Sequence, residues 1–547
     1  MDQSSDSLTA SHASIGTATP ARNPSAAAGA TDYVRQTHHE FLAAAEQALH
    51  NQNLQRILGR LGDTLGRKNK EAWAALPNSD LVRERARAIK DATLAELDQH
   101  LERLEASVQA RGGKVHWAGD AEDARRIVLD IIQARGAKHV VKSKSMTSEE
   151  IHLNDALEAA GIESVETDFG EYIIQVAGHR PSHIVGPALH LSAQDVAQIL
   201  SPVAGRELPV DREKLAAFAR EKLRAEFARA EIGISGANFA IAETGSIVII
   251  SNEGNGRLTT TMPKVHIAIM GMEKVIPKWE HLPYFLKVLA RAATGQKLSV
   301  YTSIISGPKR PGELEGPEEF HLIILDNGRS RILGGPLRES LFCIRCGACL
   351  NACPIYRNVG GHAYGGVYSG PIGAVLTPLY DGLAANHHLP HASSLCGACQ
   401  AACPVKIQIP EMLIQLREKL HDEPEQLGGT EALAYRFWAW SMRHPAIYRL
   451  TTWLATRTIG RWNRSSPWLS RLPGKLHGWT QKRDFPAPSA ERFRDWWART
   501  GRHTTDSNTT DSNTTDSATH NGTTANVTAA NGTTAAHNTN AAAKGVR

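Results

Sequence analysis

The sequence predicts an N-terminal α/β domain with a largely parallel sheet, then a compact cysteine-dense module, then a helical C-terminal segment. Three observations carry this. Short apolar runs alternate with amphipathic ones between residues 112 and 330, as in units where each strand returns through a helix. All seven cysteines lie between Cys343 and Cys403. Beyond them, residues 431–500 gather many tryptophans, including Trp438, Trp440, Trp453, Trp496 and Trp497, on helix-forming sequence.

At 547 residues the chain has length for two or three domains with their own cores. Lys and Arg number 61 against 56 Asp and Glu, so the net charge of +5 is small and nothing demands nucleic acid. An odd cysteine count and an N-terminus, Met-Asp-Gln-Ser-Ser-Asp, without the regions of a secretory signal point to a reducing compartment. No apolar run approaches the roughly 20 residues of a membrane span. A cytoplasmic protein is expected, with peripheral contact to the inner face of the membrane left open.

In chain order, residues 1–30 are rich in Ser, Ala, Thr and Gly and predict a disordered leader. Residues 31–111 read as helical, and Leu94, Leu97, Leu101, Leu104 and Val108 make an apolar stripe that fits core packing or a short coiled coil. Gly112-Gly113 ends that helix. The α/β domain spans 112–330, with strands expected at Lys114–Trp117, His139–Lys142, Glu163–Thr167, Glu243–Ser251 and Val265–Met270. Between them come a helix through Arg125–Ala134 and one opened by Thr147 with Glu150 completing a capping box. Lys142 and Lys144 sit at a strand-to-helix junction, where backbone amides favour anions. Arg257 follows a Gly/Asn turn and precedes Thr259, Thr260 and Thr261. These three cations are the candidate binding set for a small carboxylate or phosphate; the alternative is a solvated loop.

The module at 331–425 holds the strongest signal. Cys343-Ile-Arg-Cys346-Gly-Ala-Cys349-Leu-Asn-Ala-Cys353-Pro354 is C-x2-C-x2-C-x3-C-P, a ligand run for iron–sulfur clusters whose fourth cysteine serves the neighbouring cluster. Cys396-Gly-Ala-Cys399-Gln-Ala-Ala-Cys403-Pro404 supplies the partner run. Crossing the ligands gives one set of Cys343, Cys346, Cys349 and Cys403, and a second of Cys353, Cys396 and Cys399. Ser393 falls opposite Cys343, so the second set lacks a thiolate. Its fourth ligand is left open among Ser393, Ser394, a histidine such as His362, water, or an absent iron. A structural zinc site would use four of the seven cysteines and leave the four-cysteine run and both Cys-Pro ends unexplained. Residues 426–502 form the tryptophan-rich helical region, and 503–547 repeat Thr-Thr-Asp-Ser-Asn and predict a disordered tail.

The block Cys343–Val359, the phrase Gly360-Gly-His-Ala-Tyr-Gly-Gly, Gly370-Pro-Ile-Gly-Ala-Val-Leu, the Ser393–Pro404 run, Lys142-Ser-Lys-Ser-Met146 and Glu243-Thr-Gly-Ser resemble the lactate-utilisation B proteins. The resemblance covers roughly residues 30–500. It implies an N-terminal domain of the LUD type, similar to sugar-phosphate isomerases and CoA-transferases, and a cluster module similar to the all-helical ferredoxin domain of succinate dehydrogenase. It also implies two iron–sulfur clusters, most simply [4Fe-4S], despite the missing cysteine. The implied role is a non-catalytic electron-transfer component of an L-lactate-to-pyruvate system. The implied companions are a second iron–sulfur or oxidoreductase subunit and a second LUD-type subunit. No catalytic residue is carried over. The alternative is that the α/β domain acts on a small anion itself, with the clusters as redox outlet.

Overall fold

The computed structural model describes residues 38–422, 429–462, 467–472, 474, 477–480, 483–487, 489 and 491–501. The leader expected at 1–30 and the tail expected at 503–547 lie outside them. The chain divides into two compact units, residues 1–428 and 429–547.

The strands of the first unit are β1 (Lys114–Ala118), β2 (His139–Lys142), β3 (Glu163–Glu166), β4 (Ile232–Gly236), β5 (Phe239–Ile241), β6 (Ser246–Ser251), β7 (Val265–Gly271), β8 (Val275–Ile276), β9 (Tyr301–Ile305) and β10 (Glu319–Leu325). Six make a sheet of order β1-β10-β7-β4-β2-β3, parallel at every pairing. A parallel sheet is covered on both faces, so its inner strands read as unbroken apolar runs. Accordingly β7, Val-His-Ile-Ala-Ile-Met-Gly, is buried throughout. On one face the helix Ala121–Ala134 presses Ala124, Val128 and Ile132, spaced by four, into a core with Leu153 and Leu157. Each such fully buried Val, Ile or Leu is worth about 1.5–3 kcal/mol. On the other face the core runs without a break from Met270 and Phe320 into Leu341, Tyr356 and the cysteines. The module is thus packed onto the sheet, not tethered beside it. A second, mixed sheet has the order β8-β5-β6-β9.

Three local expectations change. The stripe Leu94–Val108 is buried as expected, but on two helices, Ser79–Ala95 and Leu97–Gln109, broken at Glu96. It packs into the main core, which is the ordinary alternative to a coiled coil. The strand expected from Glu243 begins only at Ser246, because residues 242–245 turn the chain between β5 and β6. Gly245 there has φ +63°, and a Cβ on it would stand 2.5 Å from the carbonyl carbon of Ser107. Gly245→Ala is therefore expected to lower stability by more than about 1 kcal/mol, read as an earlier urea midpoint. Finally, the helix Met146–Glu150 is capped by Ser145, whose Oγ accepts from Ser148 N, and Thr147 does not cap it. Glu150 is spent elsewhere, on a buried arginine.

The second unit contains the helices Gly429–Arg443, Pro445–Trp462 and Phe493–Thr500 and a short ladder of Trp468–Leu469 with Phe485–Pro486. Trp438, Trp440, Trp496 and Trp497 are exposed on it. No helix among the described residues is long and apolar enough to cross a membrane.

Candidate metal centre

The two cysteine runs fold into the same local structure. In the first, Arg345 (φ +59°) and Gly347 (φ +75°) flank Cys346; in the second, Leu395 (φ +53°) and Gly397 (φ +79°) flank Cys396. A left-handed residue costs a side chain strain, so the glycines are placed where the chain needs them, and Arg345 and Leu395 hold positions the surroundings impose. Each loop then runs into one short helix, Ala348–Ala352 or Ala398–Ala402. Cys353 and Cys403 close these helices in nearly equal extended conformations, with ψ 121° and 122°. The prolines that follow disfavour a helical residue before them, which sets this turn.

One cavity is lined by Cys343, Cys346, Cys349 and Cys403, with Ile184, Ile372 and Ile407 among its apolar walls. Three of these thiols come from one run and one from the other. All seven cysteines are free of disulfides. Burial pushes the Cys346 and Cys349 thiols up and raises Cys403 to about 12, so these sulfurs ionise only beside a compensating cation. The backbone N–H of Ile407 reaches Cys403 Sγ at 3.4 Å. Arg345 also lines the cavity, and its Nη1 is buried with no hydrogen-bond partner among the described residues. Four convergent thiols and an orphaned donor fit an anionic iron–sulfur cluster with four cysteine ligands. They do not fit a neutral apolar ligand.

Cys353, Cys396 and Cys399 lie within electrostatic reach of one another. Burial raises Cys399 to about 11, while the Ala398 N–H and the Ser394 hydroxyl hold the exposed Cys396 below the usual thiol range. Tyr356 N lies 3.5 Å from Cys353 Sγ. Of the three side chains considered as a fourth ligand, Ser394 touches Cys396. Ser393 Oγ accepts from Leu395 N at 3.1 Å. His362 Nε2 is 2.8 Å from the Arg180 carbonyl oxygen, and its ring packs on His190.

The three cations of the candidate anion set differ in their surroundings. Lys142 is 1% exposed, and its ammonium donates to Glu166 Oε1 and Asn154 Oδ1, both at 2.7 Å. A buried lysine needs a carboxylate, and Glu166 on the neighbouring strand β3 supplies it. The Lys142 charge is thus already met by a protein carboxylate. Lys144 is half-buried, and Arg257 is exposed on the helix Asn255–Thr261. The Thr260 and Thr261 hydroxyls return to carbonyls of their own helix, and Thr259 meets Thr167.

Sequence reasoning missed a buried charge network where the carboxyl ends of β7 and β10 meet the cysteine module. Arg329 forks onto Glu150 at 2.8 and 2.9 Å and onto Glu273 at 2.6 Å. Arg345 lies 3.6 Å from Glu273 and over the Tyr368 ring. Tyr368 donates to Glu150, and Arg329 stacks on Tyr380. Lys90 Nζ donates to the Glu273 carbonyl oxygen. Burial alone would raise Glu273, but the surrounding cations, Arg329 first, hold it at about 2. Desolvation lowers Lys90 and Lys274 to about 8. The signal available was Glu273-Lys274, two adjacent charges between the apolar strands β7 and β8.

Residues 101–325 match the LUD domain, 339–407 the 4Fe-4S dicluster domain, and 415–502 the family described as "Lactate utilisation protein B, C-terminal". The chain is 44% identical over 457 residues to "Lactate utilization protein B" of Shouchella clausii, covering 83% of this chain and 96% of that one. It is 43% identical over 459 residues to the protein of the same name from Bacillus subtilis, covering 84% and 96%. Among solved structures, a DUF162 family protein from Deinococcus radiodurans aligns over 42% of this chain and 98% of its own, at 14% identity and a TM-score of 0.25. On the relatives' identity and coverage, and with cofactors that are iron–sulfur clusters of the 4Fe-4S type, the chain belongs to the lactate utilisation protein B family.

Proposed function

We propose that this protein is the iron–sulfur electron-transfer component of a system that oxidises L-lactate to pyruvate. The observation that carries the reading is the cavity shared by thiols of both runs. Cys343, Cys346, Cys349 and Cys403 hold one cluster; Cys353, Cys396 and Cys399 hold the other. When bound, such clusters store and pass single electrons. The chain's own part is to bury the sulfurs, point the Ile407 and Tyr356 N–H groups at them, and exclude water with isoleucine walls. Peptide donors near the sulfurs and low solvent access are the usual means of setting a cluster's potential.

Two companion proteins, one iron–sulfur or oxidoreductase subunit and one LUD-type subunit, are the partners this role calls for. Protein side chains at part of the sheet's carboxyl end favour a relay over an α/β-domain enzyme. Ligands of such sheets sit beyond the strands' carboxyl ends, and here those of β7 and β10 are filled by Arg329, Tyr368 and Tyr380. The test is purified, cluster-loaded protein mixed with L-lactate and a dye acceptor. A relay stays inert alone and becomes reducible by lactate once both companions are added. Dye reduction by the lone protein would overturn the relay reading in favour of an enzymatic α/β domain.

A further inference from the structure

The surroundings of the two thiol sets differ in charge. Beside the Cys343 set, Lys90, Lys274, Arg329 and Arg345 have buried side chains and face two buried carboxylates, Glu150 and Glu273. Among these six groups positive charge is in excess by two. Lys90, Lys274 and Arg345 each lie within electrostatic reach of Cys343. Arg83 adds a further cation, donating to the Cys403 carbonyl oxygen at 2.6 Å. Uncompensated buried cations are costly, and the counter-charge within reach is the cluster itself with its thiolates. Beside Cys353, Cys396 and Cys399, burial, peptide N–H groups and one another's sulfurs dominate. On that side the Arg417 guanidinium is spent on the carbonyls of Pro390 and Ser393, and Arg357 pairs with Asp63.

Reduction adds a negative charge, so buried cations favour the reduced form and raise the potential. Arg345 is the cation best placed to do this, since it lines the thiol cavity and its Nη1 has no acceptor among the described residues. We propose that Arg345 sets the reduction potential of the Cys343/Cys346/Cys349/Cys403 cluster above that of the other, so that electrons entering the protein come to rest there. Arg345 is a positioning residue for charge, and Glu273 and Tyr368 hold its guanidinium. The inference rests on both clusters being present, as the proposed function requires.

The test is a potentiometric titration of the whole cluster-loaded protein, followed by electron paramagnetic resonance, with iron and sulfide counted first. Wild type should show two separated reduction steps. Cys403→Ala should leave only the lower step, and Cys353→Ala only the higher. Arg345→Met should move the higher step down and leave the lower unmoved, and Arg345→Lys should recover part of the shift. Should Arg345→Met fail to hold its clusters, Lys274→Met, which leaves the cavity wall intact, should move the same step in the same direction by less. An unmoved higher step in every cluster-bearing variant overturns the proposal, as does an equal shift of both steps or the reverse assignment by the cysteine variants. Absence of two clusters in the wild-type count overturns the electron-transfer reading instead.

Discussion

Cys403→Ala should cost the protein the cluster of the first run, and Cys353→Ala that of the second. The reason is the crossed arrangement: Cys403 completes a cavity whose other thiols are Cys343, Cys346 and Cys349, while Cys353 faces Cys396 and Cys399. Each variant should lose the iron and acid-labile sulfide of one site and keep those of the other, since the other thiol set is untouched in each. Deleting Cys403 also leaves Cys343 with Cys346 and Cys349, two thiols whose burial opposes their ionisation. That site should bind no iron, not a depleted cluster. Anaerobic iron and sulfide analysis with electron paramagnetic resonance of the reduced variants measures this. If Cys403→Ala spared the signal that Cys343→Ala removes, the crossed assignment would fall.

What the sequence made legible was local. The cysteine spacing, the strand at His139–Lys142 and the apolar stripe Leu94–Val108 could be read because each is written within about twenty residues. Glu150 shows what could not. Its position three residues after Thr147 fits a capping box, yet its partner is Arg329, 179 positions away. Lys142 stands where an anion would dock, and only the pairing of β2 with β3 reveals Glu166 beside it. Side chains that meet through tertiary packing leave no period in the sequence, and every missed group in the charge network is of that kind. Arg345 came closest to being legible, since it lies between two cysteines, but its left-handed backbone and its contact with Glu273 exist only in the fold.

Arg329→Met should be the most destabilising single change outside the cysteines. Arg329 is 1% exposed and neutralises two carboxylates that are themselves buried, with a bidentate fork onto Glu150 and Nε on Glu273. Replacing it with an apolar side chain of similar length fills the space but leaves both carboxylates short of their main partner. Breaking a buried pair in this way costs about 3–5 kcal/mol. Arg329→Lys should recover little, because a point charge cannot reproduce the planar fork. Converting the network to neutral form tests the cause: adding Glu150→Gln and Glu273→Gln to Arg329→Met should return much of the loss, since no uncompensated charge then stays buried. Urea unfolding at neutral pH, followed by far-ultraviolet circular dichroism and by cluster absorbance, reads both effects. A loss below about 1 kcal/mol for Arg329→Met would match an exposed ion pair and contradict its burial. A triple variant no more stable than the single one would mean that Arg329 holds the module to the sheet by shape and stacking on Tyr380, and that charge compensation is secondary.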